Sequence, residues 1–429
     1  MWTKPGPGIP IDASQVVVGL FVFLDVRWDE HPFLSNRLLV KTPKDVSIIQ
    51  SLDTKGRIYY YPEKSNVPLP AFVPPPPTTS EAEIAMAAEK AAIQAERKAL
   101  DKAKKDKRQS QKDAAARADR AWENAARSTK DALLTLNRSP KAAGEMLANL
   151  SQETAATIAN GQEILLHLLG DKKDQGPQFH ALNVLTLCML VGKKMGLSLT
   201  ELADLAMGAL AHDAGKVQVP APILKNANRK KHEEDFFRQH VMFSVQLGTQ
   251  SGAFSREALS NIADHHEAVD GSGWPRARAR AELSRGARIL AAVNRYDNLC
   301  TPEAEGVDAL MPAEALATMF RNEGARFDKL VLTTLIKLLG VYPPGTVVQL
   351  SDTSLAMVVG PGPNSLQPQV LIYSPELPKD EAPTLELHTE PSLKITEAIK
   401  PASLPPDVRA WLNPQQRLSY FFSVEDNKG

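Results

Sequence analysis

From residue 139 to about 340, apolar positions recur at helical spacing and strand signals are few. The spacing predicts helices near 142–169, 178–195, 199–213, 232–248, 255–267, 282–299, 313–323 and 328–339. Ser198-Leu199-Thr200-Glu201 has the form of a capping box and opens the helix that ends in His212-Asp213. Gly196 and Gly215 are placed as helix stops. On either side the pattern shortens. Val16–Val26, Leu38–Lys41 and Arg57–Tyr61, the last following the turn Thr54-Lys55-Gly56, read as strands of a small β-rich unit. After Gly340, Val341–Leu350 reads as a turn into a strand, and Ala356–Val359 and Gln369–Tyr373 as two more. Residues 375–416 are rich in proline and charge and are expected to be loosely ordered.

Between the first β-rich unit and the helical region lies a change of composition. Residues 67–79 are proline-rich, which suits an extended spacer and neither a sheet nor a helix interior. Residues 80–136 are dense in Ala, Glu, Lys, Arg and Gln, so a long solvated helix or imperfect coiled coil is expected. Such a helix could pair two copies of the chain or serve as a spacer. The expected class is mainly α. It comprises a β-rich domain over 1–66, a spacer and charged helix over 67–136, a helical domain over 137–340, and a small β appendage with a tail over 341–429.

Bulk properties narrow the function. At 429 residues two or three domains are expected. Fifty Lys and Arg balance fifty Asp and Glu, which argues against a whole-chain polyanion binder. The basic run Arg97–Arg108 has no aromatic residues interleaved, so it reads as a solvated face and no stable nucleic-acid partner is expected. Two cysteines make no disulfide framework, and Cys188 sits in an apolar run as a core thiol. No segment reaches the roughly 18–20 apolar residues of a membrane span. The N-terminus, with Pro5, Pro7 and Pro10, lacks a signal-peptide pattern. A cytoplasmic location is expected.

The chemistry lies in the histidines, of which the chain has nine. His265-His266-Glu267-Ala268-Val269-Asp270-Gly271-Ser272-Gly273-Trp274-Pro275 follows an apolar helical run, and His212-Asp213-Ala214-Gly215-Lys216 lies upstream. His180, His212, His240 and the pair His265-His266 fall on different predicted helices. A bundle can turn them all toward one place, as bundle metal sites do. Asp213 could bridge two cations with its two oxygens, and two ions about 3.5–4 Å apart would use this many ligands. Water held between such ions becomes a nucleophile near neutral pH, and the ions neutralise a phosphate ester in an in-line displacement. Lys216, one turn past His212, would sit at the rim and could hold a phosphate. His31, His167, His232 and His388 do not fit the pattern and read as structural or surface residues.

These residues resemble the HD-GYP family of the HD phosphohydrolase superfamily. The resemblance runs from about Phe179 to Leu299, and continues more weakly through Gly340–Thr346. The N-terminal segment Leu24-Asp25-x-x-Trp28-x-x-His31-Pro32-Phe33 is similar to a small domain that often precedes such modules. The resemblance implies a helical core holding two divalent metal ions, iron or manganese. It implies hydrolysis of cyclic di-GMP to pGpG or GMP by a metal-bridged hydroxide. By position the metal ligands fall on His180, His212, Asp213, His240, His265, His266 and Asn294. Asp213 and Lys216 take catalytic roles, and Lys216, Asp270, Gly273, Trp274 and Pro275 face the substrate. The Gly-Trp-Pro turn is also where signalling partners would dock.

This sequence departs from the family in several places. Trp274 replaces a tyrosine, keeping an aromatic face for a base. Asn294 stands where the family has an aspartate, Gly176 stands where trinuclear members have a glutamate, and the Arg-Pro-Tyr-Arg run is absent from Leu299–Val307. Two alternatives follow: a degenerate module that senses cyclic di-GMP or docks partners without hydrolysis, and a hydrolase of another nucleotide or phosphate ester.

Overall fold

A computed structural model of the chain describes residues 8–26, 31–33, 35–52, 57–72, 120–160, 163–168, 176–377, 384–412 and 420–425, with single positions or short runs in 90–117 and 379–382. It falls into two compact units, Met1–Asp113 and Ala114–Gly429. The division lies inside the charged segment. Most of 80–119, within the charged helix expected over 80–136 as a pairing element or spacer, is outside the described residues, as is Trp28.

The first unit is an antiparallel sheet of β1 (Ile9–Ile11), β2 (Phe21–Leu24), β3 (Arg37–Leu39) and β4 (Ile58–Tyr60), in the order β1-β4-β2-β3. Val22 and Leu24 of β2 alternate inward onto Ile58 and Tyr60, while Phe21 and Phe23 face outward. The run Val16–Val26 is not one strand. Gly19 adopts φ +99°, a turn conformation that L side chains disfavour, and only the second half pairs. Helix α1 (Pro43–Ser51) was not predicted, although Thr42 and Asp45 form a reciprocal capping box around Pro43 and Ile49 enters the core.

The second unit is built on helices. After the helix over 120–136, labelled α2, come α3 (Pro140–Asn160), α4 (Pro177–Lys194), α5 (Leu199–Ala211), α6 (Ala221–Lys225), α7 (Lys231–Arg238), α8 (His240–Ser251), α9 (Arg256–Ala263), α10 (Arg285–Cys300), α11 (Pro312–Arg321) and α12 (Lys329–Leu339). Helix α5 is central and packs against α3, α4, α9 and α10. Leu202, Leu205, Ala206, Ala209 and Leu210 bury its length against Leu182, Leu185, Ile289 and Leu290. The Ser198–Glu201 capping box forms as expected, and Gly196 closes α4 with φ +70°. No helix among the described residues is long and apolar enough to cross a membrane.

Three expectations are corrected. The helix predicted over 142–169 ends at Asn160, and Glu163–Leu168 is a strand, β5, paired antiparallel with β11 (Tyr420–Glu425). Its run Ile164-Leu165-Leu166 suits either element, and a partner some 250 residues away in sequence decides it, which local periodicity cannot register. The region 375–416, expected to be loose, contains β9 (Thr384–Glu386), β10 (Ile395–Ile399) and α13 (Pro406–Leu412) among its described residues. With β6 (Val347–Leu350), β7 (Leu355–Gly360) and β8 (Gln369–Ile372) they form an antiparallel sheet in the order β10-β6-β7-β8-β9. Leu404, Val408 and Leu412, spaced by four, seal it from one side.

Gly215 is the third correction. It is not a helix stop: α5 ends at Ala211, and Gly215 lies in a 3-10 turn over Ala214–Gln218. The turn packs against α8 so closely that a β-carbon at 215 would meet the His240 carbonyl at 2.2 Å and the Ser244 nitrogen at 2.5 Å. Gly215 N donates to Ser244 Oγ at 2.8 Å, locking the two elements together. Gly215→Ala is therefore expected to destabilise the protein by about 1–3 kcal/mol through overpacking and to lower bound metal. Urea unfolding followed by circular dichroism, with elemental analysis, measures both.

Candidate metal centre

Helix ends supply the site. His180 lies in the first turn of α4, His212 and Asp213 follow the last residue of α5, His240 opens α8, and His265 and His266 follow α9. The same device orients three of the rings. Nδ1 of His212, His240 and His265 donates to the carbonyl three residues earlier, Ala209 at 2.9 Å, Phe237 at 2.7 Å and Ile262 at 2.6 Å. The proton is thereby held on Nδ1, and Nε2 turns inward with a free lone pair. His180 Nδ1 is held instead by Asp297 Oδ2 at 2.7 Å, and Asp297 is fixed by Asn183 at 3.0 Å and Thr301 at 3.1 Å.

The inward nitrogens meet one carboxylate. Asp213 Oδ2 lies 3.5 Å from His180 Nε2 and 3.4 Å from His212 Nε2, and Oδ1 lies 3.3 Å from His240 Nε2 and 3.7 Å from His265 Nε2. Two donor groups result, His180/His212/Asp213 and Asp213/His240/His265/His266, each with its ligand atoms within 4.8 Å. Asp213 belongs to both. Within the groups, lone pairs face each other across 3.1 Å (His180 and His212) and 3.4 Å (His240 and His265). Such spacings suit nitrogens about 2.0–2.1 Å from a shared cation. Asp213 Oδ1 and His266 Nε2 are buried with no hydrogen-bond partner. Buried acceptors in this state are destabilising unless something cationic meets them. The residues fit a pair of divalent cations.

The electrostatics agree. Burial holds the His212 pKa below its usual value, and burial together with neighbouring imidazoles holds those of His265 and His266 well below it, so these rings stay neutral. Burial opposes the charge on Asp213, but Lys216 and the surrounding histidines outweigh it and hold the carboxyl well below its ordinary range. Burial likewise opposes charge on His180, but Asp297 and Asp213 prevail and raise it. Lys216 Nζ lies 2.7 Å from Asp213 Oδ2 and 2.8 Å from Glu303 Oε2, and despite burial these carboxylates keep it charged.

A pocket of about 510 Å³ opens beside these groups, with Lys216, Arg229, His265, His266, Trp274 and Asn294 in its wall. Trp274 stacks on His266 with ring centroids 4.0 Å apart and planes 18° from parallel, so one face of the indole is already covered. Gly273 lets the turn press onto Glu267 and Ala268, where a β-carbon would stand 2.3 Å from the Ala268 nitrogen. Pro275, joined to Trp274 by a cis bond, is exposed. Asp270 is exposed and spends its carboxylate on its own turn, accepting from Ser272 N at 2.9 Å and Ser272 Oγ at 2.6 Å. Asn294 Oδ1 accepts from Asn298 at 2.7 Å.

Three carboxylates to which the sequence reading gave no role complete the site. Asp297 orients His180. Buried Glu267 accepts from the backbone of Arg276 at 2.7 Å and Arg278 at 3.0 Å, while buried Asp264 pairs with both their guanidinium groups. Together they clamp the turn that carries Trp274. Their position flanking His265-His266, and three residues beyond Asn294 on the same helix face, was the available signal.

Comparison with known proteins matches residues 163–331 to the family described as HD domain. Residues 9–146 match a second family, described as a domain of unknown function (DUF3391). The chain is 28% identical over 231 residues to a cyclic di-GMP phosphodiesterase of Pseudomonas aeruginosa, covering 53% of this chain and 55% of that one. It is 24% identical to the cyclic di-GMP phosphodiesterase PdeB of Borreliella burgdorferi, covering 42% and 47%. It is 26% identical to a 3'3'-cGAMP-specific phosphodiesterase of Vibrio cholerae, covering 39% of each. The chain thus spans about half the length of the first two relatives.

The depressed histidines fix a pH response for the metal-free protein. Below their ordinary value of 6.5, His212, His265 and His266 take up protons in the unfolded chain but not in the folded one, so stability falls with pH. His180 acts oppositely, its contribution present below 6.5 and lost as pH rises through its raised value. Three outweigh one. Urea unfolding of stripped protein is expected to show stability falling progressively as pH drops below 6.5; a flat profile means the rings are not buried as described.

Proposed function

We propose that this protein is a metal-dependent phosphodiesterase that hydrolyses cyclic di-GMP to pGpG or GMP. One observation carries the reading: a single largely buried carboxylate, Asp213, is shared by two histidine clusters beside a pocket lined by Lys216, Arg229 and Arg326. The names of the relatives support the choice of substrate. His180, His212 and Asp213 would hold one divalent ion, and Asp213, His240, His265 and His266 the other, with iron or manganese the metals that the family resemblance implies. Bound there, such a pair supplies Lewis acidity toward phosphoryl oxygens and an ionised water as nucleophile.

The remaining work belongs to side chains. Lys216 presents an ammonium to a phosphate oxygen at the edge of the cluster, and Arg229 and Arg326 line the same pocket for the second phosphate of a cyclic dinucleotide. Asp297 holds His180 in register, and Trp274 packs His266 into place. The aromatic and cationic wall, with Arg229 3.9 Å from the Phe237 ring centroid, suits a purine beside a phosphate. The Gly-Trp-Pro turn, solvent-facing at Pro275, would serve signalling partners.

A second reading has its own observation. Asn294 offers a neutral amide oxygen, already engaged by Asn298, where the resemblance places a ligand carboxylate. A sensor that binds cyclic di-GMP without cleaving it would carry less than one metal per chain and show affinity without turnover. For the enzyme, His265→Ala and Asp213→Ala are each expected to reduce turnover of cyclic di-GMP by on the order of 10³-fold or more, with the circular dichroism spectrum retained. Unchanged turnover in either variant removes the enzymatic reading. Competition with 3'3'-cGAMP decides between cyclic dinucleotides.

A further inference from the structure

The segment Thr301–Met311, between α10 and α11, borders the pocket through Glu303, Ala304, Val307, Asp308 and Leu310. It carries three acidic residues and no basic one. Two of its carboxylates reach two lysines from a single stretch of chain. Glu303 Oε2 lies 2.8 Å from Lys216 Nζ, and Glu305 Oε1 lies 2.9 Å from Lys225 Nζ. The backbone follows the same path, with Glu305 N donating to the Lys225 carbonyl at 2.9 Å.

The two ion pairs are not equivalent. Lys225 and Glu305 are 60% and 72% exposed, and a pair so solvated contributes little. Lys216 is only 17% exposed, so a carboxylate beside it is poorly screened. Its ammonium has three donors, and Asp213 and Glu303 engage two of them. When both oxygens of Asp213 serve the donor clusters, Glu303 is the carboxylate left to neutralise Lys216. A phosphate oxygen approaching this lysine meets an anion already in its place. Glu303, at 45% exposure, has open solvent into which it can swing.

We propose that Glu303 is a built-in competitor for the anion seat at Lys216, displaced by the substrate phosphate, and that it thereby sets how tightly the pocket holds a phosphodiester. The proposal rests on the phosphodiesterase reading for its substrate but not for its anion chemistry. Glu303 touches no donor of the metal clusters, so it is a specificity-determining residue and not a catalytic one.

The test compares wild type, Glu303→Gln and Glu305→Gln as full-length, metal-loaded proteins. Calorimetric titration with inorganic phosphate is expected to show binding tightened about 5–10-fold in Glu303→Gln, an effect that shrinks as sodium chloride is raised, and unchanged in Glu305→Gln. With cyclic di-GMP, KM is expected to fall in the same ratio in Glu303→Gln while kcat stays within about two-fold, as for a change in uniform binding. Phosphate affinity that is unchanged or weaker in Glu303→Gln overturns the proposal, as does turnover with an unchanged KM. Tighter phosphate with no turnover of cyclic di-GMP by any of the three proteins leaves the competitor in place and removes the substrate reading instead.

Discussion

The structure depends on holding one ionised carboxylate, Asp213, largely out of solvent among imidazole rings. Left alone, an anion at such depth is strongly destabilising. Lys216 neutralises one oxygen from the rim, while the other is buried without a hydrogen-bond donor. Every neighbouring nitrogen faces it with a lone pair, because backbone carbonyls or Asp297 have taken the protons on the far side of the rings. The arrangement suits cations between the donors. The fold supplies it through helix ends: a residue just past a helix can turn its ring back onto the last exposed carbonyls, satisfying backbone and side chain in one contact. Close approach of α8 to the turn after α5, possible only at a glycine, brings His240 to the aspartate.

How much of this was legible in the sequence follows from which contacts are local. The clustering of these side chains was readable because histidine is scarce here and five of the nine fall in an ordered series on predicted helices. The pairing of His212 with Asp213 gave the shared carboxylate directly. The roles of Asp297, Asp264 and Glu267 were hidden, since acidic residues number fifty and only tertiary contact separates an orienting carboxylate from a solvated one. Asp270 shows the same ambiguity: an aspartate next to glycine and serine caps its own turn as readily as it faces a ligand. The strand β5 and the ordered elements within 375–416 depend on partners distant in sequence, whereas α1 was readable from its capping box.

The centre is built in layers of decreasing rigidity. Innermost are the rings fixed by main-chain carbonyls. Around His265 and His266, Asp264 and Glu267 hold the turn of Arg276 and Arg278 by four contacts, two to backbone nitrogens, and that turn delivers Trp274 onto His266. Preorganisation of this kind keeps a ligand set in place before any ion arrives. The outermost layer, Thr301–Met311, is held by ion pairs that include exposed carboxylates, and it is the part of the wall that can yield to a ligand.

Asn294 fits this charge pattern. It lies one helical turn before Asp297 on α10, and both are buried. Asp297 Oδ2 meets His180 Nδ1 at 2.7 Å, and Asp213 faces Nε2 of the same ring at 3.5 Å. A third carboxylate at 294 would add like charge to the same small volume. The amide avoids this and finds a neutral partner in Asn298. The two donor groups already offer three and four ligand atoms without it. On electrostatic grounds, then, asparagine at 294 limits the like charge beside His180 and leaves both donor groups intact.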